Sequence, residues 1–231
     1  MSTNAIILAG GMGTRLKSVI TDIPKPMAPV ANKPFLTYLL NQLCSFDITE
    51  VKLSVGYKHE VIESYFGTKY KHLNLDYIIE KEPLGTGGGI RLAAEACTSE
   101  TLLICNGDTY FDVNIDQFVT EHIQNKNGMT IALKQMDRVN RYGMVELNQS
   151  EIIGFSEKSE ALKTGWINGG IYALNKALFL DNTQAGNFSM EVDFMEKMVG
   201  QIKLEGFKSD GYFIDIGIPD DYHKANTYFG K

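Results

Sequence analysis

Hydrophobic positions along this chain fall into two regimes. From residue 5 to about residue 127, short apolar runs alternate with segments of helical period. Ala5-Ile6-Ile7-Leu8-Ala9 is wholly apolar and closed by Gly10-Gly11, which predicts a buried strand. Phe35, Leu39, Leu43 and Phe46 mark one face of a helix, and Leu36 and Leu40 widen the stripe. Val51, Leu53 and Val55 alternate with polar residues and predict a half-buried strand. A short helix around Val61–Phe66, a strand near Leu75–Ile79, a small-residue helix over Gly87–Ala96 and an apolar strand at Thr101–Cys105 follow. Such alternation predicts right-handed βαβ units, a largely parallel sheet and helices on both faces.

Beyond about residue 128 the pattern loosens. Met129–Met136, Met144–Leu147, Ile152–Phe155 and Trp166–Leu174 read as strands with little helix between them, and Trp166 reads as core. Helices are expected at Met190–Val199 and Asp220–Tyr228. The expected fold is α/β: a Rossmann-like three-layer sandwich with a mostly parallel central sheet and mixed strands in the C-terminal half. Residues 1–231 are expected to pack as a single domain, without a long linker, repeat or low-complexity tract.

Composition narrows the function. Hydrophobic residues make up 44% and charged residues 22%, enough apolar mass for a core and unlike a disordered chain. No stretch approaches the roughly 20 apolar residues that span a bilayer, and the N-terminus lacks the basic start of a signal peptide. Cys44, Cys97 and Cys105 lack Cys-x-x-Cys spacing and read as reduced core thiols of a cytoplasmic protein. A net charge of -6 argues against nucleic acid as a partner. Phosphates would have to be held by a few placed cations and a metal.

Candidate chemistry sits at predicted strand ends, where open sheets bind ligands. Gly10-Gly11-Met12-Gly13-Thr14-Arg15-Leu16 follows the first strand, and glycines there let backbone N–H groups approach an anion. It is neither a dinucleotide fingerprint nor a Walker A loop, because Leu16 stands where each needs glycine. In Pro24-Lys25-Pro26 two prolines stiffen the backbone around Lys25. Asn106-Gly107-Asp108 follows the Thr101–Cys105 strand, and Asp215 ends the aromatic stretch from Tyr212. An Asp in a turn is most often a cap, but two carboxylates and phosphates also suit Mg²⁺. Glu80-Lys81-Glu82-Pro83-Leu84-Gly85-Thr86-Gly87-Gly88 joins a strand to a helix, with glycines that would admit a flat ligand. A carboxylate there, Glu80 or Glu82, has two acceptors that can meet a pair of adjacent donors, as backbone carbonyls also can.

The glycine loop paired with Pro24-Lys25-Pro26 resembles the signature of the sugar-phosphate nucleotidyltransferases. The likeness runs in order along essentially the whole chain. It departs at Lys17-Ser18-Val19, where many relatives have Pro-Leu-Thr, and at Phe213, where many have Trp. The resemblance implies the nucleotide-diphospho-sugar transferase fold, with residues 1–127 mainly binding nucleotide and residues 128–231 mainly binding sugar. It implies catalytic roles for Arg15 and Lys25, and Mg²⁺ held by Asp108 and Asp215. Nucleotide contacts are implied for Leu8, Ala9, Gly10, Gly11, Gly13, Thr14, Glu80, Glu82, Gly85, Thr86, Asn106 and Gly107. Sugar contacts are implied for Tyr142, Gly143, Glu157, Lys158, Asn168 and Gly169.

Four strings look closest to the D-glycero-α-D-manno-heptose 1-phosphate guanylyltransferases of surface-polysaccharide pathways: Glu80–Gly88, Ala132–Met136, Ile167–Tyr172 and Tyr212–Gly217. That subgroup implies GTP and the heptose 1-phosphate as substrates and pyrophosphate as the released product. Mannose 1-phosphate with GTP, or an amino-sugar 1-phosphate with UTP, would use the same chemistry. A glycosyltransferase would usually carry Asp-x-Asp where this chain has Asn106-Gly107-Asp108, and an inactive relative would not need Arg15, Lys25, Asp108 and Asp215 together. The oligomeric state, a homo-oligomer included, is left open.

Overall fold

The computed structural model describes residues 3–11, 13, 16, 22–137, 142–156 and 164–231. In chain order these form β1 (Asn4–Leu8), a 3₁₀ turn (Lys25–Met27), β2 (Pro29–Val30), β3 (Lys33–Pro34), α1 (Leu36–Leu43), β4 (Glu50–Val55), α2 (His59–Phe66), β5 (Lys69–Tyr70), β6 (Leu73–Ile79), α3 (Gly85–Glu95), β7 (Thr101–Asn106), β8 (Thr109–Phe111) and α4 (Ile115–Gln124). The C-terminal half continues with β9 (Met129–Met136), β10 (Met144–Asn148), β11 (Glu151–Ser156), β12 (Gly165–Asn175), α5 (Lys176–Asp181), a π-helix (Met190–Met195), α6 (Glu196–Met198), β13 (Leu204–Ser209), β14 (Phe213–Asp215) and α7 (Pro219–Phe229).

One ten-stranded sheet runs through both halves in the order β10-β11-β13-β9-β12-β7-β1-β4-β6-β5. The β7-β1-β4-β6 block is parallel. β12 joins β7 antiparallel and opens the mixed half, in which β9 and β13 run parallel. Alternation along β1 shows the layering. Ala5 and Ile7 face one core with α1, α2, α4 and α7, while Ile6 faces a second with α3, α5 and the π-helix. Each face is thus covered, giving the three-layer sandwich. The leucines of α1 illustrate the driving force: Leu36, Leu39, Leu40 and Leu43 are all buried, each contributing roughly 1.5–3 kcal/mol of transfer free energy. Asn114, Asn175 and Ser189 cap α4, α5 and the π-helix by accepting from a backbone N–H.

Several elements differ from the sequence reading. β4 is not half-buried: Val51 through Val55 are all buried, because Lys52 pairs with Asp76 (2.5 Å) and the Ser54 hydroxyl donates to Glu80 (2.9 Å). Partnering removes the cost of placing those polar groups inside. Residues 190–198 form a π-helix followed by the three-residue α6, not one α-helix. α4 was not foreseen. Trp166 is half-buried, not core, with Lys208 Nζ 5.3 Å from its ring centroid. Cys97 and Cys105 are buried but Cys44 is only partly so; all three are free thiols. Among the described residues no helix is long and apolar enough to cross a membrane.

Candidate active site

The four parallel strands deliver their carboxyl ends to one edge of the sheet, and a cleft of about 640 Å³ opens there. That volume is typical of a small-molecule site. β1 contributes Leu8, Gly10 and Gly11, β4 leads into Gly56 and Tyr57, β6 into Glu80 to Pro83, and β7 into Asn106, Gly107 and Asp108. Gly85 and Thr86 at the start of α3 complete the wall, with Lys25 and Pro26 at one end.

Lys25 is held as the flanking prolines predict. Its N–H reaches the Gly11 carbonyl (3.4 Å), and its side chain is 15% exposed. Gly13 lies against it with φ of +61°, and a Cβ there would stand 3.1 Å from Lys25 Cβ. Glycine therefore serves both the backbone conformation and the close approach. The Lys25 ammonium lies 2.5 Å from Asp108 Oδ2 and 4.0 Å from Asp215 Oδ1.

Two chain-distant carboxylates thus meet at one cation. Their meeting follows from β8 pairing antiparallel with β14, which sets Asp215 opposite Thr109, and from the Ile216 N–H donating to the Asp108 carbonyl (2.9 Å). The Gly217 N–H donates to Asp215 Oδ1 (2.7 Å) and fixes that carboxylate further. Among the described residues no cluster of three His, Cys, Asp or Glu forms a metal site. The pair offers oxygen ligands alone, which fits Mg²⁺, an ion that completes its shell with phosphates and waters.

On the opposite wall Glu80 is fixed from both sides. Its Oε1 accepts from Ser54 Oγ (2.9 Å) and its Oε2 from the Leu84 N–H (3.2 Å), while Glu82 is exposed. The glycines of α3 have a packing role that the sequence did not suggest. A Cβ on Gly88 would fall 2.2 Å from the Gly186 carbonyl oxygen, and one on Gly87 would enter the Phe188 ring. Their missing side chains make room for segment 186–188, while Gly85 also lines the cleft. Thr86 donates to Glu191 Oε2 (2.9 Å) across the same seam.

Asn168 and Gly169 lie beside the cleft rather than in its wall. Asn168 donates to the Tyr172 hydroxyl (3.1 Å) and accepts from the Gly170 N–H (2.9 Å), and Gly170 packs on Asn106. Tyr142 stands edge-on to Phe213, ring centroids 5.9 Å apart, and Phe213 in turn meets Phe111 at 5.6 Å. Phe213 therefore fills an aromatic position two residues before Asp215. Gly143 adjoins the Ser156 carbonyl. Ala9 is buried behind the loop, its N–H bonded to the Ser54 carbonyl (2.7 Å). Thr14, Arg15, Glu157 and Lys158 lie outside the described residues. Sequence reasoning missed Gly56 and Tyr57 in the cleft wall and Ser54 behind it; the turn after β4 was the one usable signal, since it follows a parallel strand end.

Residues 4–231 match the model of the nucleotidyl transferase family. The chain is 51% identical over 221 residues to the D-glycero-α-D-manno-heptose 1-phosphate guanylyltransferase of Aneurinibacillus thermoaerophilus, covering 96% of each. It is 43% identical to the enzyme of that name from Campylobacter jejuni, covering 95% of this chain and 96% of the relative. The crystal structure of HddC from Yersinia pseudotuberculosis complexed with GMP-PN superposes with a TM-score of 0.87 at 38% identity, covering 98% of this chain and 99% of that one.

Proposed function

Because the chain belongs to the nucleotidyl transferase family, we propose that it transfers GMP from GTP to D-glycero-α-D-manno-heptose 1-phosphate and releases pyrophosphate. The nucleotide-sugar formed is an activated donor for surface-polysaccharide synthesis. Full-length similarity to two guanylyltransferases of that specificity supports the substrate pair. The observation that carries the chemistry is the convergence of Lys25, Asp108 and Asp215 at one end of the cleft.

An oxygen of the sugar phosphate attacks the α-phosphorus of GTP in line. The bond from that phosphorus to the oxygen bridging toward the β-phosphorus breaks, and pyrophosphate leaves with the electron pair. The attacking oxygen is already ionised, so no side chain has to remove a proton. The barrier lies in bringing anions together: two unit charges 4 Å apart repel by about 4 kcal/mol at an effective dielectric of 20. Lys25 places a positive charge at the reacting end, and the Gly10–Gly11 loop presents backbone N–H groups beside it. Arg15, by its place in the motif, adds a second cation. Asp108 and Asp215 would hold Mg²⁺, which when bound neutralises phosphate charge and orients the leaving group. In this reading Glu80, locked by Ser54 and the Leu84 N–H, would meet the guanine, and Asn168 and Tyr142 would meet the sugar. Buried free thiols at Cys97 and Cys105 suit a reducing cytoplasm.

A panel of nucleoside triphosphates against heptose, mannose and amino-sugar 1-phosphates, read by mass detection of the nucleotide-sugar, tests the reading. GTP with the heptose 1-phosphate should give the highest kcat/KM. A UDP-amino-sugar as the main product would overturn the substrate assignment, and no product with any pair would overturn the reaction. In the same assay EDTA should stop pyrophosphate release and Mg²⁺ restore it. Turnover that survives chelation would remove the metal from Asp108 and Asp215.

A further inference from the structure

The carboxyl ends of the four parallel strands form one row: Asn106 of β7 pairs with Leu8 of β1, Leu8 with Ser54 of β4, and Ser54 with Ile78 of β6. Neighbouring strands lie about 4.8 Å apart, so the row spans about 14 Å. Cleft residues follow each strand in turn. Asp108 comes just after Asn106, beside Lys25 and Asp215, whereas Tyr57 and Glu80 come just after Ser54 and Ile78 at the other end. Under the proposed function phosphates go to the end with Lys25 and the metal, and the Glu80 carboxylate repels them from the opposite end. A nucleoside triphosphate laid along the row therefore points its base at β4 and β6.

Tyr57 stands where that base arrives. It is the one aromatic side chain among the described residues that line the cleft, and it is 37% exposed. A single exposed tyrosine is ordinary, but this one is placed by its backbone. The His59 N–H donates to the Gly56 carbonyl (3.3 Å), closing a tight turn with Tyr57 and Lys58 at its centre. Lys58 takes φ of +50°, a left-handed conformation that is uncommon for a residue with a side chain and clusters at ligand sites. Gly56 packs on the glycine loop, a Cβ there lying 3.6 Å from the Gly10 carbonyl oxygen. Lys58 also tethers the ring: its Nζ lies 5.6 Å from the Tyr57 centroid, donates to the Asp22 carbonyl (3.0 Å) and pairs with the Asp22 carboxylate. A ring already held on the cleft wall loses little freedom when a flat ligand covers it.

We propose that the guanine of GTP stacks on the Tyr57 ring, which makes Tyr57 a specificity-determining residue that favours a purine. This rests on the nucleotidyl-transfer reading above. Every base has a π-face, but two fused rings cover more of a tyrosine than one ring does, so stacking selects size while Glu80 meets the hydrogen-bonding edge. Calorimetric titration with GTP and Mg²⁺ tests this. Tyr57→Ala should bind GTP about tenfold more weakly, the worth of one base–aromatic stack, and should lose less affinity for UTP. Ribose 5′-triphosphate, which has the phosphates and no base, should bind the variant and wild type equally. Tyr57→Phe, which keeps the ring, should restore most of the affinity for GTP.

If Tyr57→Ala does not melt cooperatively, Tyr57→Trp reads the stack directly. GTP should quench the added indole fluorescence and ribose 5′-triphosphate should not, with wild type, whose one tryptophan is Trp166, as the blank. Unchanged GTP affinity in folded Tyr57→Ala would overturn the proposal, as would a Tyr57→Trp signal that GTP leaves unaltered. An equal loss for ribose 5′-triphosphate would overturn it too, since that outcome assigns the turn to the ribose or the phosphates. Affinity is read without turnover, so the two readings fail separately. Wild type that binds GTP but forms no nucleotide-sugar removes the reaction, and Tyr57→Ala still decides the stacking role; full wild-type turnover with an indifferent Tyr57→Ala removes the stacking role alone.

Discussion

Ser54 is fully buried on β4, and its hydroxyl and carbonyl serve two walls of the cleft at once. The hydroxyl donates to Glu80 and the carbonyl accepts from the Ala9 N–H. Ser54→Ala should release one side of the Glu80 carboxylate and raise the KM for GTP by about tenfold or more, the worth of one hydrogen bond to a charged group, with kcat largely kept. Steady-state kinetics would show this, and an unaltered KM would mean that Glu80 needs no such support. His122 makes a second residue-scale case. It is 2% exposed against Thr130, and burial depresses its pKa to about 4 from an ordinary 6.5. The unfolded chain therefore takes up a proton that the folded chain refuses. Above pH 6.5 there is no penalty; between 6.5 and 4 stability falls as pH falls, by on the order of 3 kcal/mol from this group. Denaturant midpoints across that range should drop less steeply for His122→Gln than for wild type, and parallel profiles would contradict this.

At the scale of elements, the start of α3 and segment 186–188 fit because three glycines, Gly85, Gly87 and Gly88, have no side chains. A Cβ at position 88 would face a backbone oxygen at 2.2 Å, which cannot rotate away. Gly88→Ala should cost about 1–3 kcal/mol, a fall of several degrees in Tm, and should raise the KM for GTP. A calorimetric scan matching wild type would show that this seam is not a fixed wall. The elements also divide by how legible they were in sequence. Strands β1 and β7 announced themselves as uninterrupted apolar runs, and α1 as a leucine stripe. β4 misled, because Lys52 and Ser54 look like solvent-facing positions until Asp76 and Glu80 are known to lie beside them. α4 was missed because its buried face carries His122 along with Ile115 and Phe118, which blurs the helical stripe. The π-helix has no periodicity of its own to betray it. Lys25 and Asp108 could be singled out from local motifs, whereas the place of Asp215 depends on pairing two three-residue strands about a hundred positions apart. No local propensity encodes such a contact.

Across the whole molecule, one sheet carries the cleft on its parallel block and Asn168 on β12, so under the proposed function a common frame would orient both substrates. In that proposal the reacting end is where the separate β8–β14 pair brings Asp108 and Asp215 beside Lys25. Acting as one site, Asp108 and Asp215 should fail as one site. The direct measurement is kcat/KM with GTP and the sugar 1-phosphate for Asp108→Ala, Asp215→Ala and the double variant. Each single change should lower the rate by on the order of 10² or more, and the double variant should be little worse than either. Near-native turnover by one folded single variant, or losses that simply multiply in the double, would contradict a shared centre.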